Sequence, residues 1–310
     1  YYFCQLNSFI LKKKKIRFIV NPKSGGFFGA SFSENMVKKN LDLSQFDYDI
    51  FHTKFAGHAI KIAQQSLIEN IDIIAVVGGD GTQNEVGQVL VGKPMAMASI
   101  PTGSGNANAR KLKIPINVAK SIQLLNTGKI FKIDACILNG QPFFMTAGIG
   151  YDGKVVEQFN KIPFRGVGAY LGGVLSTAFT YKLPTFTIEI DNEKTIETEA
   201  FTVLVTSTGQ LGYNIEFSHQ SILNDGKFEI TIVKNFDRTQ VPKLVYECFF
   251  GDIASQPMIE SYRVNKVLKI KTDSIQSIQM DGDFKGKSDH IEVICKKQAL
   301  NFMVDKDFAL

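Results

Sequence analysis

The 310-residue sequence predicts an α/β first part followed by an antiparallel β-rich second part, and three observations lead there. Up to about residue 131, short apolar runs alternate with segments of helical period, the pattern of a mostly parallel sheet with helices on both faces. Three of those apolar runs end in small, polar, glycine-rich loops. Phe18-Ile19-Val20 leads into Asn21-Pro22-Lys23-Ser24-Gly25-Gly26, residues 73–77 into Gly78-Gly79-Asp80-Gly81-Thr82, and Met97-Ala98-Ser99-Ile100 into Pro101-Thr102-Gly103-Ser104-Gly105-Asn106-Ala107. Beyond Phe131 the grammar changes to closely spaced strands, beginning around Asn139-Gly140, the strongest short hairpin signal. The expected units are 12–131 and 132–298, packed closely because no Pro/Ser-rich linker separates them.

Element by element, residues 16–21 form the first strand and 32–41 a weak helix. Residues 48–53 alternate as a strand, and 56–69 place Ala59, Ile60, Ala63 and Leu67 on one helical face. His58 lies off that stripe and is expected to face solvent. Strand 73–77, helix 82–91 and strand 96–100 follow, then helices 106–112 and 118–125, the last stopped at Gly128. In the second part, strands are expected at 130–138, 142–147, 186–190, 201–206, 228–233, 267–271, 277–280 and 290–295. Turn residues such as Asp191-Asn192 and Asn224-Asp225-Gly226 separate them. Residues 165–181 carry Tyr170, Leu171, Val174, Leu175 and Phe179 at helical spacing, suited to a core helix or to one wall of an apolar groove. Gly148-Ile149-Gly150-Tyr151-Asp152-Gly153 has the dinucleotide spacing but follows a late strand, where that reading is poor.

Bulk properties exclude several classes. Apolar content of 44% and charged content of 21% describe a folded globular chain. A net charge of +5, without basic runs interleaved with aromatics, does not suit nucleic-acid binding. Lys12-Lys13-Lys14-Lys15 is either a solvated edge or a contact for anionic headgroups, each lysine contributing on the order of 1 kcal/mol. Cys4, Cys136, Cys248 and Cys295 are too scattered for a disulfide framework or a zinc site, which fits a reducing cytosol. No stretch approaches the roughly 20 apolar residues of a membrane-spanning helix. Residues 1–11 are apolar and aromatic but lack the basic flank and cleavage site of a signal peptide.

The chemistry concentrates in the loops. A glycine loop leading into a helix start exposes backbone N–H groups beside partial positive charge, which suits phosphate. Loops at the carboxyl edge of an open α/β sheet are where ligands of such sheets bind. Asp80, a carboxylate in the middle of such a loop, has no packing reason to be there and points to a metal, a hydroxyl or a proton. No P-loop sequence is present.

Asn-Pro-x-Ser-Gly, Gly-Gly-Asp-Gly-Thr-x-Asn-Glu and Pro-x-Gly-Ser-Gly-Asn, in this order and spacing, resemble the catalytic domain of the diacylglycerol kinase and sphingosine kinase family, and more narrowly the bacterial soluble diacylglycerol-kinase-like lipid kinases. The resemblance runs from about Ile16 onward. It implies a Rossmann-like α/β domain of the NAD kinase and phosphofructokinase kind, completed by residues 299–310, with a strand at 299–304 returning to it, and a β-sandwich second domain. It implies ATP and Mg²⁺ as cofactors, a lipid hydroxyl as acceptor with diacylglycerol leading, and phosphatidic acid as product. The expected setting is cytoplasmic, peripheral at the inner membrane surface, with no nucleic-acid partner and a homodimer left open. The nucleotide-contacting residues it implies are Asn21, Lys23, Ser24, Thr53, Gly79, Asp80, Gly81, Thr82, Asn84, Glu85 and Ser104. Glu85, in a helix's first turn, could instead complement the helix dipole.

The family's proton acceptor corresponds to Met280-Asp281-Gly282-Asp283, where Asp283 replaces the usual Glu and Asp281 is the other candidate. As bare residues, Asp-Gly is a hairpin turn. Asp225 matches the position that holds a structural Mg²⁺ in the bacterial enzymes, and oxygen ligands suit that ion. Gly148 to Gly153 then correspond to a cleft-lining stretch, while Thr206-Ser207-Thr208-Gly209-Gln210 departs from the family pattern. The alternatives are an NAD kinase-like phosphotransferase, which shares the Asp80 loop, and a non-catalytic lipid or nucleotide sensor.

Overall fold

A computed structural model describes residues 12–24, 32–159, 177–207, 210–212, 215–216 and 222–309. Residues 1–11 with Cys4, Gly25 and Gly26 of the first loop, residues 165–176 of the helical-period segment, and Thr208-Gly209 lie outside the described residues.

The first part alternates as the periodicity requires: β1 (Lys14–Val20), α1 (Glu34–Asn40), β2 (Phe46–His52), α2 (His58–Ile68), β3 (Ile73–Gly78), α3 (Asp80–Leu90), β4 (Ala96–Pro101), α4 (Ala107–Lys111) and α5 (Val118–Thr127). The strands β1 to β4 run parallel in the order β4-β3-β1-β2. Every residue of β3 and β4 is buried, as in a sheet covered on both faces. Helix α3 begins at Asp80, inside the glycine motif itself, with Gly79 as its cap.

The second part is antiparallel: β5 (Lys129–Leu138), β6 (Gln141–Phe143), β7 (Thr146–Gly150), α6 (Tyr151–Phe159), β8 (Thr185–Ile190), β9 (Lys194–Thr206), the short pair β10 (Gln210–Gly212) and β11 (Ile215–Glu216), β12 (Phe228–Lys234), α7 (Val241–Phe250), β13 (Ile259–Val264), β14 (Val267–Met280) and β15 (Asp283–Val304). Among the described residues, all strands except β10 and β11 belong to one branched sheet of thirteen.

Two strands join the parts. The ladder of β5 on β15 runs from Val293↔Leu138 to Val304↔Lys129, and Asn301 and Phe302 of β15 also run parallel to β4. Ile133, Ala135, Leu300 and Phe302 pack in the first core, with Phe18, Ile74 and Ile100. Cys136, Leu138, Ile291 and Val293, on the same two strands, pack in the second core with Phe186, Val203 and Ile230. A shift of register between Lys296 and Leu300 marks the crossing. Asp134 pins it: its carboxylate accepts the N–H of Gln298 at 2.7 Å and of Gly226 at 2.6 Å.

Three sequence expectations change. The strands expected at 267–271 and 277–280 are one strand, β14, with irregular pairing between Lys271 and Gln276. The strands at 290–295 and 299–304 are both parts of β15. The single strand expected at 142–147 breaks into β6 and β7 at Phe144 and Met145, and the N–H groups freed there have a definite use, described below.

Candidate active site

The three glycine loops converge at the carboxyl edge of β1, β3 and β4. The Asn21 side-chain amide donates to Thr82 Oγ1 at 3.0 Å and its oxygen accepts the N–H of Lys23 at 3.0 Å, tying the first loop to the second. The Thr102 hydroxyl donates to Ser24 Oγ at 3.1 Å, tying the third to the first. Between the second and third the backbones touch: a Cβ on Gly103 would lie 2.5 Å from Gly79 Cα, so no other residue fits there. Lys23 and Ser104 are exposed around this junction, and Gly81 is exposed at the start of α3.

Asp80 stands in the middle. Its carboxylate faces the backbone N–H groups of Asn106, Ala107 and Asn108; burial pushes its pKa up, against the pull of those donors. Among the described residues, Asp80 Oδ1 is buried without a hydrogen-bonding partner. Gly105 leaves room for the other oxygen, which a Cβ there would meet at 2.8 Å. A buried carboxylate oxygen left short of partners is costly in the free protein, and a cation or a ligand hydroxyl would satisfy it. That donor set fits Mg²⁺ carried in with a nucleotide.

Glu85 is placed differently from a ligand contact. Its two oxygens accept the N–H groups of Gly57 at 2.9 Å and Ala59 at 3.1 Å, so it caps the start of α2. Thr53 directly follows β2 beside the first loop, its N–H on the Val20 carbonyl at 2.8 Å. Glu85 thereby fixes the segment between Thr53 and α2 against α3.

From the other part, the hairpin joining β14 to β15 reaches this edge. Asp281 (φ 49°) and Gly282 (φ 82°) form its two-residue turn, a geometry with positive φ at both positions that favours Gly at the second. Part of Asp281 reaches solvent, but its carboxylate does not. Oδ1 accepts the N–H of Met145 at 2.8 Å and of Thr146 at 3.1 Å; Oδ2 accepts the N–H of Phe144 at 3.0 Å and the side-chain amide of Asn84. These are the N–H groups released by the break between β6 and β7. Burial pushes the Asp281 pKa up and the four donors oppose it. With both oxygens fully engaged, Asp281 clamps the hairpin to α3 and has no lone pair left for a substrate proton. Asp283, two residues on, has a side chain 71% exposed, with Lys285 at 3.4 Å as its partner.

Gln279 braces the hairpin from behind. Its amide donates to Asp152 at 3.1 Å and its oxygen accepts the N–H of Gly282 at 3.1 Å; Asp152 also takes the Thr202 hydroxyl. Gly148 and Gly153 allow this packing. A Cβ at Gly148 would meet the Asp152 carboxylate at 1.9 Å, and one at Gly153 would meet the Ser277 carbonyl at 2.2 Å. The Gly-x-Gly-x-x-Gly spacing is therefore a close-packed strand-to-helix joint.

The expectation of Mg²⁺ at Asp225 does not fit the donor set. One Asp225 oxygen accepts the Lys227 N–H at 2.9 Å and the other is ion-paired with Arg263, a cation already in place; both oxygens of neighbouring Asp134 are taken by backbone N–H groups. Among the described residues no group of three or more His, Cys, Asp or Glu side chains is arranged to hold a metal ion.

A profile described as the diacylglycerol kinase catalytic domain matches residues 15–138, and one described as the YegS C-terminal NAD kinase beta sandwich-like domain matches residues 146–304, just over half of the chain. The chain belongs to the diacylglycerol kinase family. A diacylglycerol kinase of Staphylococcus saprophyticus is 25% identical over 305 residues, covering 93% of this chain and 98% of its own length. One of Bacillus subtilis is 27% identical, covering 88% and 91%. A crystal structure of a candidate diacylglycerol kinase from Bacillus anthracis superposes with a TM-score of 0.75 at 25% identity, covering 96% of this chain and 99% of that one. An NAD kinase from Archaeoglobus fulgidus, in complex with ATP, has a TM-score of 0.50 at 14% identity, a likeness of fold alone. Membership of this kinase family makes the chain a phosphotransferase of the lipid-kinase kind. Neither Gln279 nor the role of residues 144–146 is legible in the sequence, because Asp152 and Asp281, which they hold, lie more than a hundred residues away.

Proposed function

We propose that this protein is an ATP-dependent lipid kinase that transfers the γ-phosphoryl group to a lipid hydroxyl, with diacylglycerol as acceptor and phosphatidic acid as product. The observation that carries the reading is the unpartnered Asp80 oxygen at the meeting point of three glycine loops, with a carboxylate-bearing hairpin from the other part of the chain clamped beside it. The relatives named diacylglycerol kinase, matching nearly end to end, support the choice of acceptor.

On this reading the loop N–H groups, Asn21, Ser24, Thr82 and Ser104 hold the phosphates, and Lys23 adds positive charge from the exposed side. Mg²⁺ bound with ATP supplies charge neutralisation, and Asp80 is the residue placed to meet it. Asp283 accepts the proton of the lipid hydroxyl, as the exposed carboxylate of a hairpin whose other carboxylate is engaged. Asn84 holds that hairpin through Asp281, and Glu85 holds the rim of the cleft. The enzyme works at the cytoplasmic membrane surface; Lys12 to Lys15, at the start of β1, stand at the edge opposite the glycine loops and form a solvated edge. No helix among the described residues is long and apolar enough to cross a membrane.

The test is phosphoryl transfer from γ-labelled ATP to diacylglycerol in mixed micelles, to a total lipid extract and, separately, to NAD. Label in phosphatidic acid is the expected result. Label in NADP alone would overturn the proposal, and lipid binding without transfer, equal in wild type and Asp283→Ala, would make the protein a sensor.

A further inference from the structure

Cys136, Cys248 and Cys295 are free thiols, and the fold brings two of them together from distant places in the chain. Cys136 on β5 and Cys295 on β15 are register partners, directly opposite one another in the antiparallel ladder. Opposed Cα atoms in such a ladder lie about 4.5–5.5 Å apart, inside the roughly 4.4–6.8 Å that a disulfide spans. Register partners also share a face. Here both turn to the second core: Cys136 is wholly buried in it, and Cys295 packs against it half-buried. The two thiols are in hydrogen-bonding contact, and that contact, followed by burial, pushes the Cys136 thiol well above the usual range. Cys248 packs elsewhere, on α7 with Leu204, Leu244 and Ile253.

The pair stands where the two parts of the chain are joined. Asp134, which pins the crossing, is two residues before Cys136, and the register shift that marks it begins at Lys296, one residue after Cys295. On its other side Cys136 pairs with Phe143 of β6, the residue just ahead of the N–H groups that hold Asp281. Strand β15 itself starts at Asp283, in the hairpin so held. A covalent tie between β5 and β15 at this point would therefore fasten the joint and both supports of the hairpin at once.

From this we infer that Cys136 and Cys295 are a modification site, a cross-strand dithiol that closes reversibly to a disulfide when a peroxide reaches Cys295. Cys295 is the half-buried member, so it meets the oxidant first, while Cys136 is kept as a thiol beside it. The Cys295 thiolate attacks one oxygen of the peroxide; the O–O bond breaks, leaving a sulfenic acid and, after protonation of the departing oxygen, water. The Cys136 sulfur then attacks the sulfenic sulfur, the S–O bond breaks, and the hydroxyl leaves as a second water with the Cys136 proton. Two thiols lose two electrons and two protons, and hydrogen peroxide is reduced to two waters. A small dithiol reverses the step by exchange and is itself oxidised. In a reducing compartment such a bond is transient, made by an oxidant and reopened by thiols. Neither the bond nor its test depends on which substrate the protein phosphorylates.

The test treats the full chain with hydrogen peroxide, blocks the remaining thiols, and maps the digested peptides by mass. The expected result is one link, joining the peptide of Cys136 to that of Cys295, lighter than the two reduced peptides by two hydrogens and undone by dithiothreitol. Closure removes freedom from the unfolded chain over a long loop, so the melting temperature should rise by about 5 °C on oxidation and fall back on reduction. In Cys295→Ser, at the half-buried position, peroxide should give neither the link nor the rise. Links to Cys4 or Cys248 instead, Cys295 carried on to the sulfinic acid beside an unreacted Cys136, both thiols left unreacted, or a melting temperature that does not rise on closure would each overturn the proposal.

Discussion

Asp80 and Asp281 both hold buried carboxylates beside the first turns of α3, and they differ in what surrounds them. Asp281 receives three backbone N–H groups and the Asn84 amide, one donor for each position its carboxylate offers. Asp80 has the N–H groups of Asn106 to Asn108 in front of it, yet one oxygen is left without a partner. A satisfied buried carboxylate is architecture; one kept short is available to something that arrives. The identity of the residue is the same in both places, and only the count of donors distinguishes a clamp from a site.

That contrast can be broken most strongly at the clamp. Asp281→Ala leaves three buried N–H groups unpaired and frees the hairpin from α3, and should lower stability by about 3–5 kcal/mol in urea unfolding, with activity lost as well. A loss under about 1 kcal/mol would mean that the hairpin is held by something else. Next in size is Asp283→Asn. Its side chain is exposed, so the melting temperature should hold while kcat falls by roughly 10²–10⁴-fold. If kcat held and Asp281→Asn abolished it without unfolding the protein, the roles of the two would be exchanged.

A smaller effect lies behind the hairpin, at Glu157 on α6. Burial pushes its carboxyl up, but the Ser277 hydroxyl, Lys287 and Lys154 outweigh burial and hold it at about 2. A carboxylate depressed by folding adds stability that is present above its unfolded value near 4.5 and is lost as pH falls toward 2. Wild type should therefore lose on the order of 2 kcal/mol more than Glu157→Gln between pH 5 and about 2 in denaturant titrations. Parallel curves would contradict that account of the ion cluster.

How much of this could be seen in the chain depends on the range of the interaction. The three loops were visible because each is a local sequence event, an apolar strand stopped by glycine and small polar residues, and the sheet brings strand ends together without further instruction. Helix α6 was hidden inside Gly148 to Gly153, where glycines required by close packing imitate a phosphate loop. Helix α7 went unread although Val241, Leu244, Val245 and Cys248 stand at helical spacing in its ten residues, with Pro242 in the first turn where a helix tolerates it. The length of β15 was obscured by charged residues at its exposed positions, and by a register shift that splits its pattern. Asp281 could be flagged as a carboxylate in a turn, but its partners at 84 and 144–146 are set by tertiary pairing, so clamp and base could not be told apart. Asp225 looked like a cation ligand from its own loop, and its cation, Arg263, sits 38 residues away on β13.

The most direct measurement is a single variant, Asp80→Asn, assayed for both phosphoryl transfer and thermal stability. Burial raises the Asp80 pKa, so its ionised form at pH 7 works against folding, and removing the charge should raise the melting temperature of the free protein while transfer falls by roughly a hundredfold or more. A variant that keeps its activity, or one that melts earlier than wild type, would contradict the claim that this carboxylate is held short of partners for the sake of the reaction.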